Sequence, residues 1–437
     1  MPDSPPQPSD DATADTTALV LCGARLADGR TVDVRLAAGR IEAVGTAGSL
    51  TVYGTRVDLT GFLLLPAPAE PHAHGDTALT ALPPGGGTGG HPSGPAGPVS
   101  YAPEDVQRRA TEATLLQLGH GATAVRAHVR IGERQRLGRL EAVLQARRSL
   151  RGLADLTAVA VPRLLTGVAG ADGRAMLRDA VKMGAGVVGG CPDLDPDPAG
   201  YAEAVLEVAA EHGCPVDLHT DGADPVRLAA LAAMAGGVRQ GVTLGPCAGL
   251  ARLPAEVAAR AAERLAAAGV TVVCLPQGTC GGAERAGDPV RARARSAERG
   301  RGVAPVRLLR AAGVRVAAGG GALRDLANPV GRGDPLEAAY LLASRSGLRA
   351  ADAYGAVSAA ARAAMGLAEV RVEAGFPAEL LAVRGDSVEG ALSLAYSRIV
   401  IHRGRVVART SAVREYCDSA AVAALELPRQ GRSDLGA

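Results

Sequence analysis

Aromatic side chains are almost missing: Phe, Trp and Tyr make up 2% of the 437 residues, with no Trp and two Phe. Few platforms remain on which single-stranded nucleic acid or sugar rings could stack. An excess of charge is missing too. The 47 Lys and Arg nearly balance the 45 Asp and Glu, so no global field recruits nucleic acid or an anionic membrane. Lysine occurs once, at Lys182, and the other basic residues are arginines spread along the chain. Any chemistry that needs a Schiff-base or carboxylated lysine therefore rests on that residue. The seven cysteines (Cys22, Cys191, Cys214, Cys247, Cys274, Cys280 and Cys417) form no C-x-x-C, which suits neither a disulfide framework nor a zinc ribbon. No apolar run reaches the ~18 residues of a membrane span. The opening MPDSPPQPSDDATADTT has neither the basic nor the apolar region of a signal peptide. The expectation is a reduced, cytoplasmic protein with a small-molecule ligand and neither nucleic acid nor membrane as partner.

What the chain does have is ordinary globular content, 47% hydrophobic and 21% charged, enough for a large buried core. Short β runs separated by Gly turns fill residues 19–65, and a matching set returns at 378–410. The turns suggest a small antiparallel sheet assembled from both ends. Between them, apolar strands alternate with amphipathic helices. Strands are predicted at Leu64–His72, Ala122–Val129, Asp155–Pro162, Gly186–Pro192, Pro215–His219, Gly241–Gly245, Val270–Pro276 and Val314–Gly320. Helices such as Pro103–Leu118, Arg174–Met183, Tyr201–Glu211 and Pro254–Ala268 fall between them. Eight buried strands with crossover helices fit an α/β fold, a TIM-like (β/α)8 barrel with a small β-sandwich domain formed from both chain ends. A doubly wound open sheet is the alternative. The domain boundaries predicted are 1–18 for a disordered tail, 19–66 plus 370–415 for the β domain, 67–369 for the barrel and 416–437 for a C-terminal tail. A low-complexity stretch, Pro83–Pro98, follows the first barrel strand, with His91 inside it as a solvated loop residue.

The sharpest chemical feature is EPHAHGD. His72 and His74 stand at i and i+2 on a strand, so both side chains face one side and can share a metal. An isolated H-x-H fits two hydrogen-bonded loop histidines equally well. A third histidine, His219, ends the fifth predicted strand in VDLHTDG. Three histidines from barrel strand ends suffice for zinc, with water in the fourth position.

At these residues the chain resembles the amidohydrolase superfamily, in its cytosine deaminase branch. EPHAHGDTALTA is similar to the family's first-strand metal motif, HGATAVRAHV to its second strand, GAGVVGGCPDLD to its fourth and VDLHTDG to its fifth. The resemblance runs from about Leu19 to Thr410. It implies one divalent metal, zinc or iron, on His72, His74 and His219, with His128 near the site. It also makes a homo-oligomer plausible.

The departures are as informative. Where the family has a sixth-strand histidine, this chain reads Gly245-Pro246-Cys247; where it has an eighth-strand aspartate, Gly320-Gly321-Ala322. Gly222 stands where the family's proton-shuttling glutamate follows the fifth-strand histidine, and Arg163 where an amide binds the pyrimidine. Asp221 is the candidate substitute for proton transfer, with a capping or salt-bridged acid as the alternative. Arg163 and His128 are the candidates for substrate contact. Asp325 matches a structural aspartate, and Cys191, Cys247 and Cys280 read either as soft ligands or as small buried hydrophobes. Lys182 precedes the fourth strand, which speaks against a carboxylated-lysine centre. General acid–base groups typically supply about 10²–10⁴-fold in rate. The expectation is thus a metal-dependent hydrolase of a C–N bond in a small heterocycle or amide, with impaired turnover. The alternative is a non-catalytic barrel that binds a small ligand or partners an active relative.

Overall fold

The computed structural model describes residues 18–51, 54–81, 99–132, 135–278, 302–325, 327–394 and 396–412. The Pro83–Pro98 stretch with His91, Cys280, and the predicted tails apart from Ala18 lie outside them. Five strands open the chain: β1 Leu19–Arg25, β2 Thr31–Ala37, β3 Arg40–Thr46, β4 Thr55–Asp58 and β5 Phe62–Pro66. Eight follow in alternation with helices: β6 Ala69–Ala73, β7 Ala124–Ile131, β8 Asp155–Pro162, β9 Val187–Gly190, β10 Val216–Thr220, β11 Val242–Pro246, β12 Thr271–Cys274 and β13 Arg315–Ala318. The return strands are β14 Leu380–Arg384, β15 Arg398–His402 and β16 Arg405–Thr410.

Strands β6 to β13 pair in parallel and in chain order as one eight-stranded sheet. A parallel bridge from Ala73 to Gly321 brings β6 round to the segment after β13, so the sheet is a nearly closed barrel. The sequence enforces the alternation locally. Three outer helices, starting at Pro198, Pro225 and Pro335, are each preceded by an aspartate whose carboxylate accepts a first-turn N–H. Proline at the first position and an aspartate cap fix each start. Gly213 and Gly347, both left-handed, end two of these helices. The helices press Ala, Leu and Val against the strands in one continuous core that includes Leu144, Leu177, Val205, Leu218, Leu265 and Leu342.

The second sheet takes strands from both ends in the order β16-β15-β14-β5-β1-β2-β3, with β4 beside β1. Antiparallel pairing of β14 with β5 joins the two ends. It encloses its own core, including Leu21, Val34, Ile41, Leu64, Leu380 and Ile401. Two expectations need correction. The sheet is not purely antiparallel, because β1 pairs in parallel with β4 and β5. The run expected as one first barrel strand, Leu64–His72, is two strands, and Leu64–Pro66 belongs to the chain-end sheet. Pro66 and Pro68 lack the N–H that a continuous ladder requires, so the chain changes sheets there. No helix among the described residues is long and apolar enough to cross a membrane.

Candidate metal centre

Strand alternation puts every second side chain on one face, so β6 presents Glu70, His72 and, just beyond it, His74 together. On β7 the same rule groups Arg126, His128 and Arg130, and on β10 it groups Asp217 with His219. These strand ends converge. Ring centroids lie 5.2 Å apart for His72 and His74, 4.5 Å for His72 and His219, 4.2 Å for His72 and His128, and 4.6 Å for His128 and His219. All four histidines are buried.

His72, His74 and His219 each offer one ring nitrogen, and the three atoms lie within 4.8 Å of one another. His74 Nε2 is buried with no hydrogen-bond partner. A buried polar atom left unmade costs about 1–3 kcal/mol, so such atoms point to something that fills their valence. Burial pushes His72 and His74 well below the usual imidazole range and His219 down to about 3, with neighbouring imidazoles adding to the effect. Neutral imidazoles are what a metal requires. The donor set and its protonation state both fit a divalent ion.

The surrounding groups are fixed. Arg126 Nη1 donates to Asp217 Oδ2 at 2.9 Å, and its Nη2 donates to the Ala364 carbonyl at 2.9 Å. Burial would raise the Asp217 carboxyl, but His128 and Arg126 beside it hold it below the ordinary value. Glu70 accepts from the backbone N–H of His72 at 3.0 Å and of Gly320 at 2.7 Å, while burial lifts its carboxyl to about 7. Glu70, Arg126 and Asp217 did not stand out in the sequence. Each sits two residues before a site histidine, and that spacing was the available clue.

The other candidates are placed as follows. His128 joins the cluster, with Nδ1 3.2 Å from the Ala73 carbonyl. Arg163 follows β8 and is exposed. Asp221 pairs with Arg252 and lines a cavity of about 300 Å³ with Asp193, Thr220, Asp224 and Arg227. Asp325 accepts from the N–H of Ala327 and Asn328 and from the Thr77 hydroxyl, tying a loop. Cys191, Cys247 and Cys274 are buried, and burial drives the Cys274 thiol up to about 12 and Cys247 higher still.

Two of the glycine departures, Gly245 and Gly320, are closely packed, as is Gly319 beside them, and a third, Gly222, is restricted by its backbone instead. A Cβ added at Gly245 would lie 2.5 Å from the Val273 carbonyl oxygen. At Gly319 and Gly320 it would lie 2.3 Å and 3.0 Å from the Glu70 carboxylate. Gly222 has φ +69°, a left-handed backbone that side chains resist.

Residues 96–408 match the model of the "Amidohydrolase family". A pterin deaminase from Rhizobium rhizogenes is 27% identical over 397 residues, covering 86% of this chain and 88% of the relative. Among solved structures, N-isopropylammelide isopropylaminohydrolase from Burkholderia multivorans superposes with a TM-score of 0.75 at 24% identity, covering 91% of this chain and all of that one. A 5-methylcytosine deaminase from Klebsiella pneumoniae, liganded with 5-fluorocytosine, gives 0.74 at 22% identity, covering 92% of this chain and all of that one. The fold is that of cytosine deaminase-like proteins, and the chain belongs to the amidohydrolase family, whose reaction is metal-dependent hydrolysis of C–N bonds.

Proposed function

We propose that this protein binds one divalent metal, zinc or iron, on His72, His74 and His219, and hydrolyses an exocyclic C–N bond of a small nitrogen heterocycle at a low rate. The observation that carries the reading is the buried group of three histidines, each offering a ring nitrogen within 4.8 Å of the others. Bound there, a divalent ion would supply Lewis acidity toward a water, the nucleophile for the ring carbon. The histidines hold the ion as neutral donors, and Arg126 and Asp217 brace the strands behind them. Asp221 is the carboxylate next in line to move a proton, but its ion pair with Arg252 must open first. That requirement, and the glycines where the family has a histidine and two acids, support slow turnover. The named relatives suggest amino-substituted pterins, pyrimidines and triazines as the substrate class.

The test is metal content on protein purified without chelator, followed by ammonia or amine release from pterin, 5-methylcytosine and N-isopropylammelide. Stoichiometric zinc or iron that disappears in His72→Ala, together with slow release from one of these, is the expected result. A second reading, a ligand binder without turnover, draws on Glu70 filling the space beside the eighth-strand glycines. It predicts heterocycle binding by calorimetry with no release at any metal loading.

A further inference from the structure

We infer that the barrel carries a second cation site, built from His72, His128 and Asp217, which reaches one residue pair deeper than the three-histidine set. These three residues also offer one ligand atom each within 4.8 Å of one another, and they are 0%, 1% and 1% exposed. The decisive pair is His128 Nε2 and Asp217 Oδ1. They are buried and lie 3.3 Å apart, a ring nitrogen against a carboxylate oxygen. Two ligands each about 2.0–2.1 Å from a tetrahedral ion sit about 3.3–3.4 Å from one another. The separation is that of a coordination edge.

The far side of each ligand is anchored. His128 Nδ1 faces the Ala73 carbonyl at 3.2 Å, so a proton carried on Nδ1 has an acceptor there when Nε2 serves as the ligand atom. Asp217 Oδ2 is taken by Arg126, and Arg126 Nη1 also lies 3.3 Å from the Thr243 hydroxyl. Histidines and carboxylates that bind metals are held from behind in this way. Two imidazoles and one carboxylate suit zinc, iron(II) or cobalt(II) rather than calcium or magnesium.

His72 belongs to both sets, so one ion can be held in either. The upper set has no carboxylate, and the eighth strand supplies none. The deeper set has Asp217. This inference shares His72 with the hydrolase reading but does not depend on turnover.

The experiment is cobalt(II) titration of the metal-free full-length protein, followed by visible absorption and by elemental analysis after desalting. His219→Ala retains one cobalt with a shifted absorption band, and the double variant His128→Ala/His219→Ala retains none. His128→Ala leaves the Arg126–Asp217 pair intact, and circular dichroism checks the fold. Should the double variant misfold, anomalous scattering from zinc-soaked wild-type crystals locates the ion. Density about 2.0–2.2 Å from Asp217 Oδ1 supports the site. A folded His219→Ala that binds no cobalt, or density against His74 and His219 alone, overturns this inference and leaves the three-histidine reading standing. A wild type that binds neither ion overturns both.

Discussion

Strands β6, β7 and β10 end in four imidazoles, a glutamate, an aspartate and two arginines, whereas β11 and the segment after β13 end in glycine and proline. The crowded wall and the bare wall face the same barrel mouth. The bare wall is not vacant space awaiting a side chain, because the Val273 carbonyl and the Glu70 carboxylate already press against its glycines. The bareness of this wall is therefore a property of packing on both sides of the barrel, and placing a side chain there takes more than one substitution.

That contrast can be attacked at its most heavily invested point first. Arg126→Met leaves Asp217 buried without its cation, which should cost about 3–5 kcal/mol in urea unfolding. A loss under 1 kcal/mol would mean that the crowded wall is far more tolerant than its burial implies.

Behind the bare wall, Asp334 makes two bonds of 2.8 and 2.7 Å to Arg398 on β15 and caps the helix that begins at Pro335. Burial would raise its carboxyl, but the hydrogen bonds from Arg398 win and hold it below 3.8. The folded state thus binds fewer protons, so the contribution is present above pH ~4 and lost as pH falls through the lower folded value. Asp334→Asn should lower stability at neutral pH by about 2–4 kcal/mol and flatten the acid side of the stability profile. An unchanged acid slope would assign it to other carboxylates.

Gly319→Ala sharpens the comparison directly. Its Cβ meets the Glu70 carboxylate, and overpacking of this kind costs about 1–3 kcal/mol. Glu70→Ala in the same chain should recover part of that loss, measured as a coupling energy in a double-mutant cycle. Additive losses would show that the backbone, not Glu70, closes the wall. The smallest effect belongs to Asp221→Asn, whose partner Arg252 is half-exposed. Thermal unfolding should move by under about 1 kcal/mol, while any amine release should fall.

Much of this was legible in the residues. The eight apolar runs and the H-x-H on a strand rest on local chemistry that a sequence displays. The convergence of His72, His74 and His219 followed from the strand assignment, and the nearness of His128 from the family resemblance. The deeper polar layer did not, because Arg126, Asp217 and Glu70 look like ordinary charged residues until the barrel closes around them. The split of Leu64–His72 was missed because both halves are apolar, and only the two prolines marked the change of sheet. Why Gly245 and Gly319 are glycine could not be read from neighbours in sequence, since the atoms that exclude a Cβ come from Val273 and Glu70.

The passage from β5 to β6 takes only Ala67 and Pro68. The residues bearing His72 and His74 are thus spliced, almost without slack, onto a strand clamped by β14 from the far end of the chain. Trimming the C-terminus back past Leu380 would unclamp β5, and slackness there would travel along the backbone to the histidine pair. The two ends of the polypeptide act as a fastening for its middle.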